Sequence, residues 1–235
     1  MKEFLLGDTL NPVRISACIV KFFFRSSYRS ECLDALRKKI SKLKIAGYKK
    51  VIFNREDILC LPETGGPDMG SIQKGVKKVI LNQNPFLTFK DYSRDKGQMQ
   101  TLYLEEDTEA AIVFSEHNLN YMEYIFPKLK LYRAHYGFDS NIFNCHVPKK
   151  KQIAYMPRKL ERHVTQVINI LKFRGALKEF ELVEIDTMEE SQAAKILKES
   201  LIFLSLSCDE GFGMPSAEAM ACGCLAIGLH GMAGR

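Results

Sequence analysis

Short, almost unbroken apolar runs recur along the chain from about Lys49: KKVIFN, DILCLPE, KKVILNQ, AAIVFSE, KLYRAHY, KQIAYMP, FELVEID, LIFLSLS and LAIGLH. A strand with one face in water alternates apolar and polar residues, whereas a strand covered on both faces by helices has no polar side to show. These runs are of the second kind. Between them lie amphipathic stretches: Leu33 to Ile45 carries Leu33, Leu36, Ile40 and Leu43 on one stripe, and Arg162 to Phe173 carries Val164, Val167, Ile168 and Leu171. Glu189 to Ser200 adds Ala193, Ala194, Ile196 and Leu197. Strand, helix, strand is therefore the repeating unit, and an α/β fold with doubly wound, mostly parallel sheets is expected.

A length of 235 residues suits one large α/β domain or one small domain plus part of another. The polar stretch NCHVPKKK, Asn144 to Lys151, separates two strand-like runs and contains a proline, so it predicts a domain junction, with domains at 1–145 and 146–235. The last apolar run, LAIGLH, is followed by a glycine-rich turn and no covering helix, which predicts an incomplete second domain.

The net charge of +6 is modest, and the one basic concentration, Arg37, Lys38, Lys39, Lys42, Lys44, Lys49 and Lys50, has a single aromatic, Tyr48, and no interleaved set of base-stacking rings. Nucleic acid is not an expected partner. A solvated helix face accounts for these charges first; docking on anionic lipid, as a peripheral membrane contact, is the alternative. Seven cysteines (Cys18, Cys32, Cys60, Cys145, Cys208, Cys222, Cys224) are odd in number and scattered, which is unlike a disulfide framework or a zinc site. The run Ile15 to Phe24 is too short to span a bilayer and is not followed by a small-residue cleavage site. A cytoplasmic chain with free thiols and no structural metal is expected.

The chemistry concentrates between Cys208 and Gly223. The strand LIFLSLS runs into Cys208-Asp209-Glu210-Gly211-Phe212-Gly213-Met214-Pro215, followed by a helix from Ser216 to Cys222 that Gly223 ends. Proline suits the first turn of a helix and glycine its left-handed cap. A glycine loop leading from a parallel strand into a helix N-terminus brings main-chain N–H groups and the positive end of the helix dipole to a ligand crevice, an arrangement suited to a diphosphate. Glu210 and Glu218 flank the loop; carboxylates beside an anion site are poor phosphate ligands and good acceptors for sugar and ribose hydroxyls. Taken singly, each is also explained as a loop charge or a helix N-terminal acid.

The segment EGFGMPSAEAMACGC resembles the E-x7-E segment of the retaining glycosyltransferases of family 4, with Glu210 and Glu218 as its two glutamates. Upstream, YGFDSNIF (Tyr136 to Phe143) resembles the family's linker entry, AAIVFSE the strand and serine before it, and KQIAYMPRK the first strand of the donor domain. The resemblance implies a GT-B-like fold of two Rossmann-like domains, the C-terminal one truncated here. It also implies transfer of a sugar from a nucleoside diphosphate sugar, with retention, to a carbohydrate or lipid-linked acceptor. Carried over residue by residue, Arg158 and Lys159 would contact the donor diphosphate together with the amides of Phe212, Gly213 and Met214 after Gly211. Glu210 would hold the donor sugar and Glu218 the ribose, with no metal and no cofactor beyond the donor. His163 stands where the commoner family pattern has a lysine. A non-catalytic nucleotide-binding protein, or a sugar-nucleotide epimerase or hydrolase of the same fold, are the competing readings.

Other polar residues at strand ends, His117 and Asn118 after one run and Asn82, Gln83 and Asn84 after another, are explained first by turn chemistry and second by substrate contact. Gly65-Gly66-Pro67 likewise reads first as a turn.

Overall fold

The computed structural model describes residues 53–54, 56–94, 100–158, 160–229 and 231. The predicted helix from Leu33 to Ile45, the run Ile15 to Phe24, the basic stripe, Cys18, Cys32, most of KKVIFN and Lys159 lie outside the described residues.

The described strands form two separate, wholly parallel sheets. The first contains β1 (Ile58–Pro62), β2 (Lys77–Asn82), β3 (Thr108–Val113) and β4 (Leu131–Arg133), side by side in chain order. The second contains β5 (Lys150–Tyr155), β6 (Glu181–Glu184), β7 (Ser200–Ser205) and β8 (Leu225–Gly228), in the order β6-β5-β7-β8. Four helices accompany them among the described residues: α1 (Glu116–Ile125), α2 (Glu161–Phe173), α3 (Glu190–Glu199) and α4 (Met214–Ala221). Eight of the nine apolar runs thus become strands, as parallel pairing and apolar continuity require.

The second sheet shows why its strands lack alternation. Neighbouring residues go to opposite cores: Ile153 and Leu204 join Val164 and Ile168 of α2, while Ala154 and Phe203 join Ala194 and Leu197 of α3 and Ala219 of α4. Side chains one apart on a strand point to opposite faces, so the central strands β5 and β7 are helix-covered on both faces, while the edge strand β8 leaves Leu225 and Ile227 exposed. Each large apolar side chain buried this way contributes roughly 1.5–3 kcal/mol. Phe138, Ile142 and Phe143 also pack into the α3–α4 side, so the chain enters this core ahead of β5.

The first sheet buries every second residue of β2, namely Lys78, Ile80 and Asn82. Ile80 packs with Leu59, Leu61, Ala111, Val113, Met122 and Phe126. α1 belongs to this core and was not anticipated from the sequence: its apolar stripe is weak, but Ser115 accepts a hydrogen bond from the Asn118 amide (3.1 Å) as an N-cap. His117 and Asn118 are consequently in the first turn of a helix instead of a loop.

The lysines of the predicted junction are fasteners. Lys149 Nζ donates to the carbonyls of Leu197 (3.1 Å) and Cys222 (2.7 Å), at the C-terminal ends of α3 and α4, where a cation meets both unsatisfied carbonyls and the negative ends of the dipoles. Cys224, next to that clamp, is buried and donates to the Leu197 and Ser200 carbonyls.

Candidate functional site

In the order β6-β5-β7-β8 the chain steps from β5 to one side, then returns to the other side of β5 as β7. At such a reversal the connections leave in opposite directions and open a crevice outside the carboxyl ends of the two central strands. Arg158 follows β5 and Glu210 follows β7, and both line the crevice there with Met156, Ser207, Gly213 and Ser216.

Each lining residue is placed by the local fold. Gly213 adopts a left-handed conformation (φ 83°, ψ 45°) and caps α4 without a side-chain bond, with Pro215 in the first turn. A glycine tolerates that backbone, and it leaves the helix N-terminus bare of side chain for a ligand. Ser207 donates to the Glu210 carboxylate, fixing it from the strand side. Gly231, from the turn after β8, approaches so closely that a Cβ there would meet Glu210 Cβ at 2.8 Å. Burial lowers the Arg158 guanidinium from its usual value, against the opposing pull of Asp186 and Glu210. Asp186 follows β6, so the ends of β5, β6 and β7 each contribute one charged residue. Asp186 was not singled out in the sequence; the acid that ends the apolar run FELVEID was the available signal.

The predicted residues therefore divide. Arg158, Glu210 and Gly213 converge on one crevice, and Met214 opens the helix beside it. Glu218 lies half-buried in the second turn of α4, away from the crevice lining. Lys159 lies outside the described residues. Gly211 and Phe212 face the other sheet. A Cβ on Gly211 would fall 1.6 Å from the carbonyl oxygen of Gln83 and 2.8 Å from Asn84 Cα. Phe212 packs its ring on Tyr136 with centroids 4.9 Å apart, and Asn84 Nδ2 donates to the Asp209 carbonyl at 2.8 Å. The loop after β2 thus abuts the loop after β7.

Asn82 and Asn118 have structural roles. Asn82 Nδ2 donates to Thr88 Oγ1 (2.9 Å) and to the Tyr103 hydroxyl (2.8 Å), and Asn118 Nδ2 donates to the Asn82 carbonyl (2.7 Å). All four residues are buried. Gly65 and Gly66 have positive φ (117° and 68°) and lead into a short 3-10 turn at Pro67–Ser71, as a turn reading requires.

Against known proteins, the chain is 24% identical over 203 residues to an alpha-1,6-glucosyltransferase of Actinobacillus pleuropneumoniae serotype 7 (strain AP76). The match takes in 78% of this chain and 56% of that protein, so the chain spans little more than half the length of its curated relative. Among solved structures, the pneumococcal O-GlcNAc transferase GtfA in complex with UDP and GlcNAc aligns with a TM-score of 0.49 at 13% identity, covering 83% of this chain and 44% of GtfA. TarM aligns with a TM-score of 0.47 at 15% identity, covering 74% of this chain and 41% of TarM. No protein-family model matches.

Proposed function

We propose that this chain carries the donor-binding part of a glycosyltransferase that moves a sugar from a nucleoside diphosphate sugar to a carbohydrate or lipid-linked acceptor with retention. In this reading residues 1–145 form the acceptor side and 146–235 the donor side. The observation that carries it is the convergence of Arg158, Glu210 and the glycine-capped N-terminus of α4 at the point where the strand order of the second sheet reverses. Breaking the anomeric bond builds negative charge on the leaving diphosphate and positive charge on the sugar. Arg158 and the first amides of α4 supply fixed positive charge where the diphosphate would sit, and Glu210, held by Ser207, offers acceptor oxygens to the sugar hydroxyls. These groups stabilise the leaving group without calling on a divalent metal. Glu218 is assigned the nucleoside ribose, and the proposed setting is the cytoplasm, with any membrane contact peripheral.

The kinship with a glucosyltransferase makes UDP and UDP-glucose the first ligands to titrate by calorimetry. Glu210→Gln is expected to keep UDP affinity and lose UDP-glucose affinity, whereas Glu218→Gln weakens both. Each loss should amount to roughly ten- to a hundredfold, the size of a charge-assisted hydrogen bond of about 1.5–3 kcal/mol. Equal losses for both ligands in both variants would refute the role assignment. Absence of binding by any nucleotide or sugar nucleotide to the wild type would refute the function.

A further inference from the structure

Most polar side chains beneath the carboxyl ends of the first sheet are bonded to one another, as Asn82, Thr88, Tyr103 and Asn118 are. Glu63 is placed differently. It stands immediately after β1, where the pairing of Pro62 with Leu81 sets it beside the loop Gln83–Asn84; it keeps part of its surface open, and the main-chain amides of that loop favour its charged form. Gln83 and Asn84 are also the residues that receive the donor loop, through the close approach of Gly211 and the bond from Asn84 to Asp209. Glu63 is therefore set beside the same piece of backbone that meets the loop carrying Glu210. A carboxylate has about four lone-pair sites, so neighbouring amides leave it acceptor capacity for a ligand.

We propose that Glu63 is the acceptor-binding residue of this site, its carboxylate accepting a hydrogen bond from a hydroxyl of the acceptor and orienting that hydroxyl toward the crevice. The inference rests on the glycosyltransferase reading and adds to it the group on the first sheet that recognises the acceptor. The chemistry recognised is a neutral polyol, because a single carboxylate beside the loop that meets the donor loop would repel an anionic acceptor.

The surroundings also set when Glu63 is charged. Burial pushes its carboxyl up to about 7, against the three amides that favour the charged form. Among the described residues, the titratable groups facing it are Tyr103 from the 3-10 turn at Leu102–Leu104 and Tyr136 from the segment after β4. Burial first, and the charge of Glu63 second, push Tyr136 up to about 12, and Tyr103 is raised as well, so both stay neutral where Glu63 titrates. Acceptor binding is then expected to strengthen as pH rises through about 7 and to fade below it.

The test uses the full chain with UDP-glucose as donor, turned over first with water as the smallest acceptor and then with saturating glucose. Expected for Glu63→Gln is a loss of turnover of at least tenfold and a flat pH profile, with UDP affinity within twofold of wild type. Glu63→Asp should keep a pH-dependent profile at reduced turnover, which separates the charge from a packing role, and melting temperatures report folding for both. Wild-type turnover and pH profile in Glu63→Gln overturn the inference, as does a loss of UDP affinity that parallels the loss of turnover. So does a wild type that binds UDP yet leaves UDP-glucose intact with both acceptors, whereas a wild type that binds neither UDP nor UDP-glucose overturns the glycosyltransferase reading itself.

Discussion

The two sheets place polar residues at the same topological position, the carboxyl ends of their strands, and use them in opposite ways. Under the first sheet Asn82, Thr88, Tyr103 and Asn118 close a buried network, and at the opposite, amino end of the strands the fully buried Lys78 of β2 pairs with Asp107, just before β3. Over the second sheet Arg158, Ser207, Glu210 and Ser216 surround an open crevice, while the core behind them is built of small and apolar groups such as Ala154, Ala194, Ala219, Cys222 and Phe203. Polar groups that satisfy one another specify a fold; polar groups turned to a cleft are available to a ligand. Position alone does not distinguish the two roles, and burial does.

The sharpest break of that contrast is Lys78→Ala. It strands Asp107 beside a vacated site and removes the bond from Lys78 to the Val76 carbonyl, so a stability loss of about 3 kcal/mol is expected, at the lower end for a broken buried pair because Asp107 keeps one flank in water. Burial pushes the Asp107 carboxyl up, but bonds from Lys78 and the Gly75 amide outweigh it and leave the group below its ordinary value. Such a lowered carboxylate stabilises the fold above its unfolded pKa, and the contribution is lost as pH falls through the folded one. The gap between wild type and Lys78→Ala should therefore narrow below about pH 4, the ordinary aspartate range. Urea denaturation at neutral and acid pH measures it, and UDP affinity at neutral pH should not change in the folded variant.

Gly211→Ala tests whether the glycine loop serves the ligand or the contact between sheets. The added methyl would collide with main-chain atoms of Gln83 and Asn84, and no side chain there can swing away. The two loops must part. If Gly211 serves the contact, UDP affinity stays within about threefold while UDP-glucose turnover falls at least tenfold, or about 1.4 kcal/mol. A parallel loss of UDP affinity would return Gly211 to the diphosphate cradle.

Much of this architecture was legible beforehand, for a physical reason. Runs such as LIFLSLS and KQIAYMP are apolar on both faces because helices cover both, and that requirement is written locally. The crevice residues Arg158, Glu210 and Gly213 were likewise legible, since a strand, a glycine loop and a helix start are adjacent in the chain. What sequence could not display were contacts between distant segments. Glu63 read as the end of DILCLPE because the amides that favour its charge come from Gln83 and Asn84. Phe212 and Gly211 read as donor-loop residues because their neighbours, Tyr136 and Gln83, belong to the other half. α1 escaped notice because its residues, EHNLNYMEYI, carry little apolar periodicity and only the cap at Ser115 announced it.

The smallest expected effect is also the most specific, and it lies at Asn84. This side chain has two separable tasks: its Oδ1 accepts from the Phe86 amide (3.1 Å), capping the 3-10 turn at Pro85–Leu87, and its Nδ2 donates to the Asp209 carbonyl across the two halves. Asn84→Asp keeps an acceptor for the cap, removes the donor and adds a negative charge, so turnover of UDP-glucose should fall at least about threefold to fivefold, the roughly 1 kcal/mol of one neutral hydrogen bond, with the melting temperature nearly unchanged. Asn84→Ala removes both tasks and should lower turnover similarly while also lowering the melting temperature. The two variants differ in charge as well. A second carboxylate next to Glu63 disfavours its ionisation, so the pH at which turnover rises should move upward in Asn84→Asp and stay in place in Asn84→Ala. A common midpoint in both variants would show that the group titrating near neutral pH lies elsewhere than beside Asn84.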